Sequence, residues 1–125
     1  MRLYLPKYGA KKTEVDGIVF DSKKEARRYQ DLKMLRAAGY LTALEIQPEY
    51  RLEVNGHLVC KYRADFRYSL SDSGLALANL GAGKIWNAMA REIVEEVKGF
   101  MTRDAAIKIK LFKALFPELE LRVIK

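Results

Sequence analysis

Across 125 residues the chain carries 23 lysines and arginines against 16 aspartates and glutamates, a formal charge of +7, and half of its residues are apolar. This balance excludes a disordered polymer and fits one domain with a real core, while the basic excess points to a polyanionic partner, nucleic acid above all. A single cysteine (Cys60) and a single histidine (His57) exclude an internal disulfide and a Cys/His zinc cluster. No apolar run approaches the roughly 20 residues of a bilayer span, so no membrane association is expected and a cytoplasmic location is.

In chain order, residues 1–12 read as a basic arm containing Lys7, Lys11 and Lys12. "TEVDGIVF" follows as two short strands about an Asp16-Gly17 turn. Ser22-Lys-Lys-Glu25 matches a capping box, opening a helix that Gly39 is suited to end. "ALEIQPEYRLEV" and "HLVCKYRADFRYSL" read as two strands joined by Asn55-Gly56. Residues 71–90, rich in Gly, Ala and Ser, read as an insertion loop with a short helix near Trp86. "REIVEEVKG" is a strand ended by Gly99, and a helix capped by Thr102 runs until Pro117. "LELRVI" is a last strand. The order predicts a single α/β domain built on a mixed sheet flanked by helices.

Three tripeptides place an acid two residues before a lysine: Asp21/Lys23, Asp31/Lys33 and Glu96/Lys98. The first straddles a helix start and the second lies on a helix, where residues two apart do not share a face. Only Glu96 and Lys98 lie in a strand-like run, where they project together, with Glu95 and Val97 on the other side. The plain alternative is a surface ion pair. Glu25 falls inside the apolar arc of the first helix, between Tyr29 and Leu32, so its carboxylate is aimed inward and requires a partner. Arg36 lies in the same arc and offers one. Asp65 stands between Ala64 and Phe66, with Lys61, Arg63 and Arg67 as alternative partners. Carboxylates from a helix and two strands match the hard oxygen ligands that Mg²⁺ or Mn²⁺ takes. In that reading Asp65 and Glu96 hold the ion, and Glu25 holds a second ion or a metal-bound water. Lys98 orients the attacking water or neutralises charge on the phosphorane.

The order of these residues resembles the PD-(D/E)XK nuclease superfamily: a Glu on the first helix, an Asp at a strand end, then Glu-x-Lys on the next strand. "FDSKKEARRY", "YRADF" and "EEVKG" are similar to a small endonuclease-like family of phages and prophages, with "IQPEY" and "KLFKALFPE" alongside. The resemblance implies a restriction-endonuclease-like core and Mg²⁺-dependent hydrolysis of DNA phosphodiesters, with Glu25, Asp65, Glu96 and Lys98 as the catalytic set. Relatives include phage-type endonuclease I and Holliday-junction resolvases. They imply branched DNA in phage recombination or replication as substrate, a homodimer, and the bacterial host cytoplasm as location. The resemblance makes Gln47 of "QPEY" a neighbour of the site, with a strand-end polar residue as the plain alternative. Relatives join the Asp strand to the Glu-x-Lys strand by a short turn, whereas here residues 71–90 intervene.

Lys108, Lys110 and Lys113 on the last helix, with the arm lysines, are the expected phosphate contacts. A solvated helix face is the alternative for them. A nucleic-acid-binding module that keeps the fold without the chemistry is the alternative for the whole chain.

Overall fold

The computed structural model describes residues 11–79 and 91–125. Lys7 of the arm, and Leu80 and Trp86 of the insertion, lie outside the described residues.

Strands β1 (Thr13–Val15) and β2 (Ile18–Phe20) form the expected hairpin, with Asp16 and Gly17 both at positive φ, as a tight turn between twisted strands requires. Helix α1 (Lys23–Ala37) begins at Ser22, whose hydroxyl accepts from the Glu25 amide at 3.1 Å. Its buried residues are Glu25, Ala26, Tyr29 and Leu32. The acid expected to point inward therefore does, and Arg36 near the helix end is exposed.

The two long strands expected on either side of Asn55-Gly56 are four in the structure: β3 (Leu41–Ile46), β4 (Glu49–Val54), β5 (His57–Arg63) and β6 (Phe66–Leu70). Gln47 at φ 54° and Pro48, which has no amide hydrogen to donate, interrupt the first run. Ala64 and Asp65 interrupt the second directly opposite. Ala64 N–H donates to the Pro48 carbonyl at 3.0 Å, and Gln47 N–H to the Asp65 carbonyl at 2.8 Å. The hairpin is thus bent at its base. Its outer half is a separate two-stranded sheet, β4–β5, and its inner half enters the main sheet.

The insertion corrects the expected loop. Residues Asp72–Asn79 form α2, because Ser71 caps it: its hydroxyl accepts from the Gly74 amide at 3.0 Å and donates to the Gly39 carbonyl at 2.6 Å. Leu75 and Leu77 of this helix pack on the core. Strand β7 (Glu92–Val97), helix α3 (Arg103–Leu115, capped by Thr102) and strand β8 (Glu120–Ile124) complete the fold as expected.

The main sheet has the order β3-β6-β7-β8. Its first three strands are antiparallel neighbours, and β8 lies parallel to β7 through the α3 crossover. The fold is α/β with a mixed four-stranded sheet. One face packs on α1, α2 and β2 through Phe20, Leu32, Leu41, Phe66, Tyr68 and Ile93. The other packs on α3 and the β4–β5 sheet through Leu52, Tyr62, Val94, Ile109, Phe112 and Leu121. Strand β7 is therefore buried on both faces. Among the described residues no helix is long and apolar enough to cross a membrane.

Candidate active site

The bend at the hairpin base places Asp65 at the start of β6, against the end of β7. Its amide donates to the Glu95 carbonyl at 3.0 Å, and its Oδ2 accepts from the Val97 amide at 2.6 Å. Two backbone ties thus hold a carboxylate beside Glu96. None of the basic residues available to Asp65 in sequence is spent on it. Lys61 reaches Glu49 at 3.8 Å, Arg63 reaches Asp21 at 3.9 Å and Arg67 reaches Glu92 at 3.7 Å. Instead Glu25, delivered by the first turn of α1, stands close enough to Asp65 to raise its carboxyl.

Glu96 is buried and Lys98 is beside it, with Nζ 3.5 Å from Oε2. Lys98 follows the last residue of β7, yet its amide still donates to the Ile124 carbonyl at 2.9 Å. The extended register that puts both side chains on one side is therefore kept. The other carboxylate oxygen, Oε1, accepts a short hydrogen bond from the Tyr62 hydroxyl on β5. A surface ion pair is excluded by the burial of the acid. Glu25, Asp65, Glu96 and Lys98 are thus gathered at the sheet end, with Asp65 tied to the Val97 amide and Glu96 paired with Lys98.

The electrostatics follow from crowding acids in a dry place. Burial raises the Asp65 carboxyl first, and the hydrogen bond and charge of Glu25 raise it further; the Val97 amide and Lys98 only partly offset this, leaving it at about 8. Glu96 is raised to about 7 by burial and then by Asp65, against the lowering effects of Tyr62 and Lys98. Burial and the neighbouring Glu96 charge push the Tyr62 phenol upward, so it remains a donor. Near neutral pH Asp65 and Glu96 are therefore only partly ionised, and a divalent cation beside them would favour the ionised forms.

Among the described residues no group of three or more Asp, Glu, His or Cys stands ready to hold a metal ion unaided. The donor set nonetheless fits Mg²⁺, which is commonly held through one or two carboxylates with waters and substrate phosphate completing its shell. Asp65 and Glu96 are the two oxygen donors suited to it.

A second set of buried charges was not read from the sequence. Arg28 on α1 grips Glu95 with Nε on Oε1 at 2.7 Å and Nη2 on Oε2 at 2.6 Å. Glu95 is fully buried, and its Oε2 also accepts from the Tyr68 hydroxyl. Removing one partner of such a pair typically costs about 3–5 kcal/mol, because the other charge is left buried alone. The signal was present: at about 100° per residue Arg28 falls between Leu32 and Leu35, inside the same apolar arc that drew attention to Glu25. Glu95 and Glu96 thus look to opposite faces of β7, one bound to α1 and the other set in the acidic cluster. Gln47 does lie next to the cluster, through its amide on the Asp65 carbonyl.

Lys110 and Lys113 are exposed on α3, while Lys108 is partly buried. Lys11 and Lys12 are exposed ahead of β1.

The molecule is thus an α/β domain with a buried carboxylate cluster and an adjoining lysine at one end of its sheet. The chain belongs to the family described as "Protein of unknown function (DUF1064)", whose match spans residues 5–125. Neither a curated protein nor a solved structure matches it.

Proposed function

We propose that this chain is a Mg²⁺- or Mn²⁺-dependent endonuclease of the PD-(D/E)XK type that hydrolyses DNA phosphodiesters. The observation that carries the reading is the convergence of Glu25, Asp65, Glu96 and Lys98 at the bend of the hairpin. A purely DNA-binding surface gains nothing from three carboxylates beside a phosphate. A divalent cation bound by Asp65 and Glu96 would supply Lewis-acid polarisation of the phosphoryl oxygen. Lys98, partly exposed, offers fixed positive charge to the oxygens of the phosphorane. Glu25, beside Asp65, would hold a second ion or a metal-bound water.

The test is incubation with linear, single-stranded, flapped and four-way DNA, with and without Mg²⁺. Metal-dependent cleavage of at least one substrate is expected, lost in Asp65→Asn and Glu96→Gln with DNA binding equal or tighter, since each change removes negative charge at little loss of volume. Undiminished turnover in both variants would sink the site. The second reading is a DNA-binding module without chemistry. It draws on the lack of a ready three-ligand group among the described residues and on the exposed lysines of α3. Calorimetry with Mn²⁺ separates the two, since a pure binder takes up none at Asp65 and Glu96.

On branched DNA the acting unit in this reading is a homodimer, because one copy has one such centre and symmetric nicks require two. A mass by light scattering equal to one chain at tens of micromolar, in protein that still nicks a four-way junction symmetrically, would refute pairing.

A further inference from the structure

Tyr62 belongs to a different sheet from the residue it touches. It lies on β5, in the two-stranded sheet beyond the bend, and Glu96 lies on β7 of the main sheet. The Tyr62 ring is buried against Tyr50, at 6.4 Å and nearly parallel, and against Phe112 of α3, at 5.4 Å, and these two also touch each other at 4.8 Å. A buried ring packed into such a cluster has little rotational choice, so its hydroxyl is delivered to a fixed point. At that point it meets Glu96 Oε1, while Oε2 lies toward Lys98. The two oxygens of one carboxylate are therefore given different partners, and one rotamer of Glu96 is selected.

We infer that Tyr62 is the positioning residue of this site: it pins Glu96 Oε1 so that Oε2 is presented to a divalent cation and Lys98. The inference rests on the metal-dependent reading above and deepens it by naming the group that orients a ligand. The hairpin β4–β5 and α3 then have a role in the site although neither contributes a ligand. Partners of this outer kind commonly set metal affinity by 10–100-fold, because they remove the freedom a carboxylate would otherwise lose on binding.

Tyr62→Phe deletes the hydroxyl and keeps the ring. Mn²⁺ titrated by calorimetry into the full chain without DNA should bind about tenfold more weakly than to the parent. Tyr50→Phe is the control: it removes a hydroxyl from the same ring cluster whose interaction is with Arg67 rather than with Glu96, and it should leave Mn²⁺ affinity unchanged. If Tyr62→Phe has no cooperative thermal transition, Phe112→Leu, which slackens one wall of the ring's slot, takes its place with a smaller loss expected. Equal Mn²⁺ affinity in the parent and in the folded variant overturns the positioning role and leaves the nuclease reading standing. Absence of Mn²⁺ binding in the parent removes both.

Discussion

At the scale of single residues, the cluster carries a definite pH signature. The ordinary carboxyl value is 3.8 for Asp65 and 4.5 for Glu96, and the fold raises them to about 8 and about 7. A raised acid favours the protonated fold, so its stabilising contribution is whole below the ordinary value and is lost as pH climbs through the folded one. Without divalent cations, thermal stability should therefore fall between about pH 4 and pH 8. Asp65→Asn should flatten the fall and melt a few degrees above the parent at pH 8, a gain of roughly 1–2 kcal/mol after relaxation. Melting curves in EDTA across that range check it; parallel pH profiles for parent and variant would mean that Asp65 is ionised and at ease in the fold. The same residues show how far sequence could reach. Glu25 was legible because helical periodicity fixes which face a residue shares with its neighbours. Tyr62 was not, because its relation to Glu96 depends on two sheets meeting across 34 positions, and no local pattern encodes that.

At the scale of elements, turns and caps were legible and interruptions were not. Asn55-Gly56, Asp16-Gly17, Ser22 and Thr102 each act through bonds to residues a few positions away, and all four stand where local chemistry puts them. The splitting of the long strands at Gln47-Pro48 and Ala64-Asp65 is a pairwise event between segments, although the proline was a signal that the first run could not continue unbroken. Helix α2 was hidden by its Gly and Ala content, yet Ser71-Asp72 is a sound helix start. Its Gly74 has a reason beyond backbone freedom. A Cβ there would lie 1.9 Å from the Tyr40 carbonyl oxygen and 3.0 Å from its carbon, both of them backbone atoms. Gly74→Ala should therefore push α2 off the sheet edge and cost about 2 kcal/mol or more, seen as a lower denaturation midpoint. An unchanged midpoint would mean that α2 is not packed against the turn after α1.

At the scale of the whole molecule, the charge balance and the acidic cluster pull in opposite directions, and their separation in space resolves this. The formal +7 counts the whole chain, and three of its acids, Glu25, Glu95 and Glu96, are buried, so the exterior is more basic than that figure. A polyanion approaching the domain meets the basic exterior first. On α3, Lys110 and Lys113, three residues apart, are exposed, whereas Lys108 is partly buried. If DNA lies along these two lysines, each phosphate neutralised releases counterions, and log affinity falls with log salt at about 0.9 per phosphate contact. Lys110→Ala combined with Lys113→Ala should then reduce the slope by about 1.8, and Lys108→Ala should change it less. Fluorescence anisotropy with labelled duplex DNA over a salt series measures both. A slope in the double variant equal to the parent's would take this side of α3 off the DNA and leave Lys11, Lys12 and the other basic residues to account for binding.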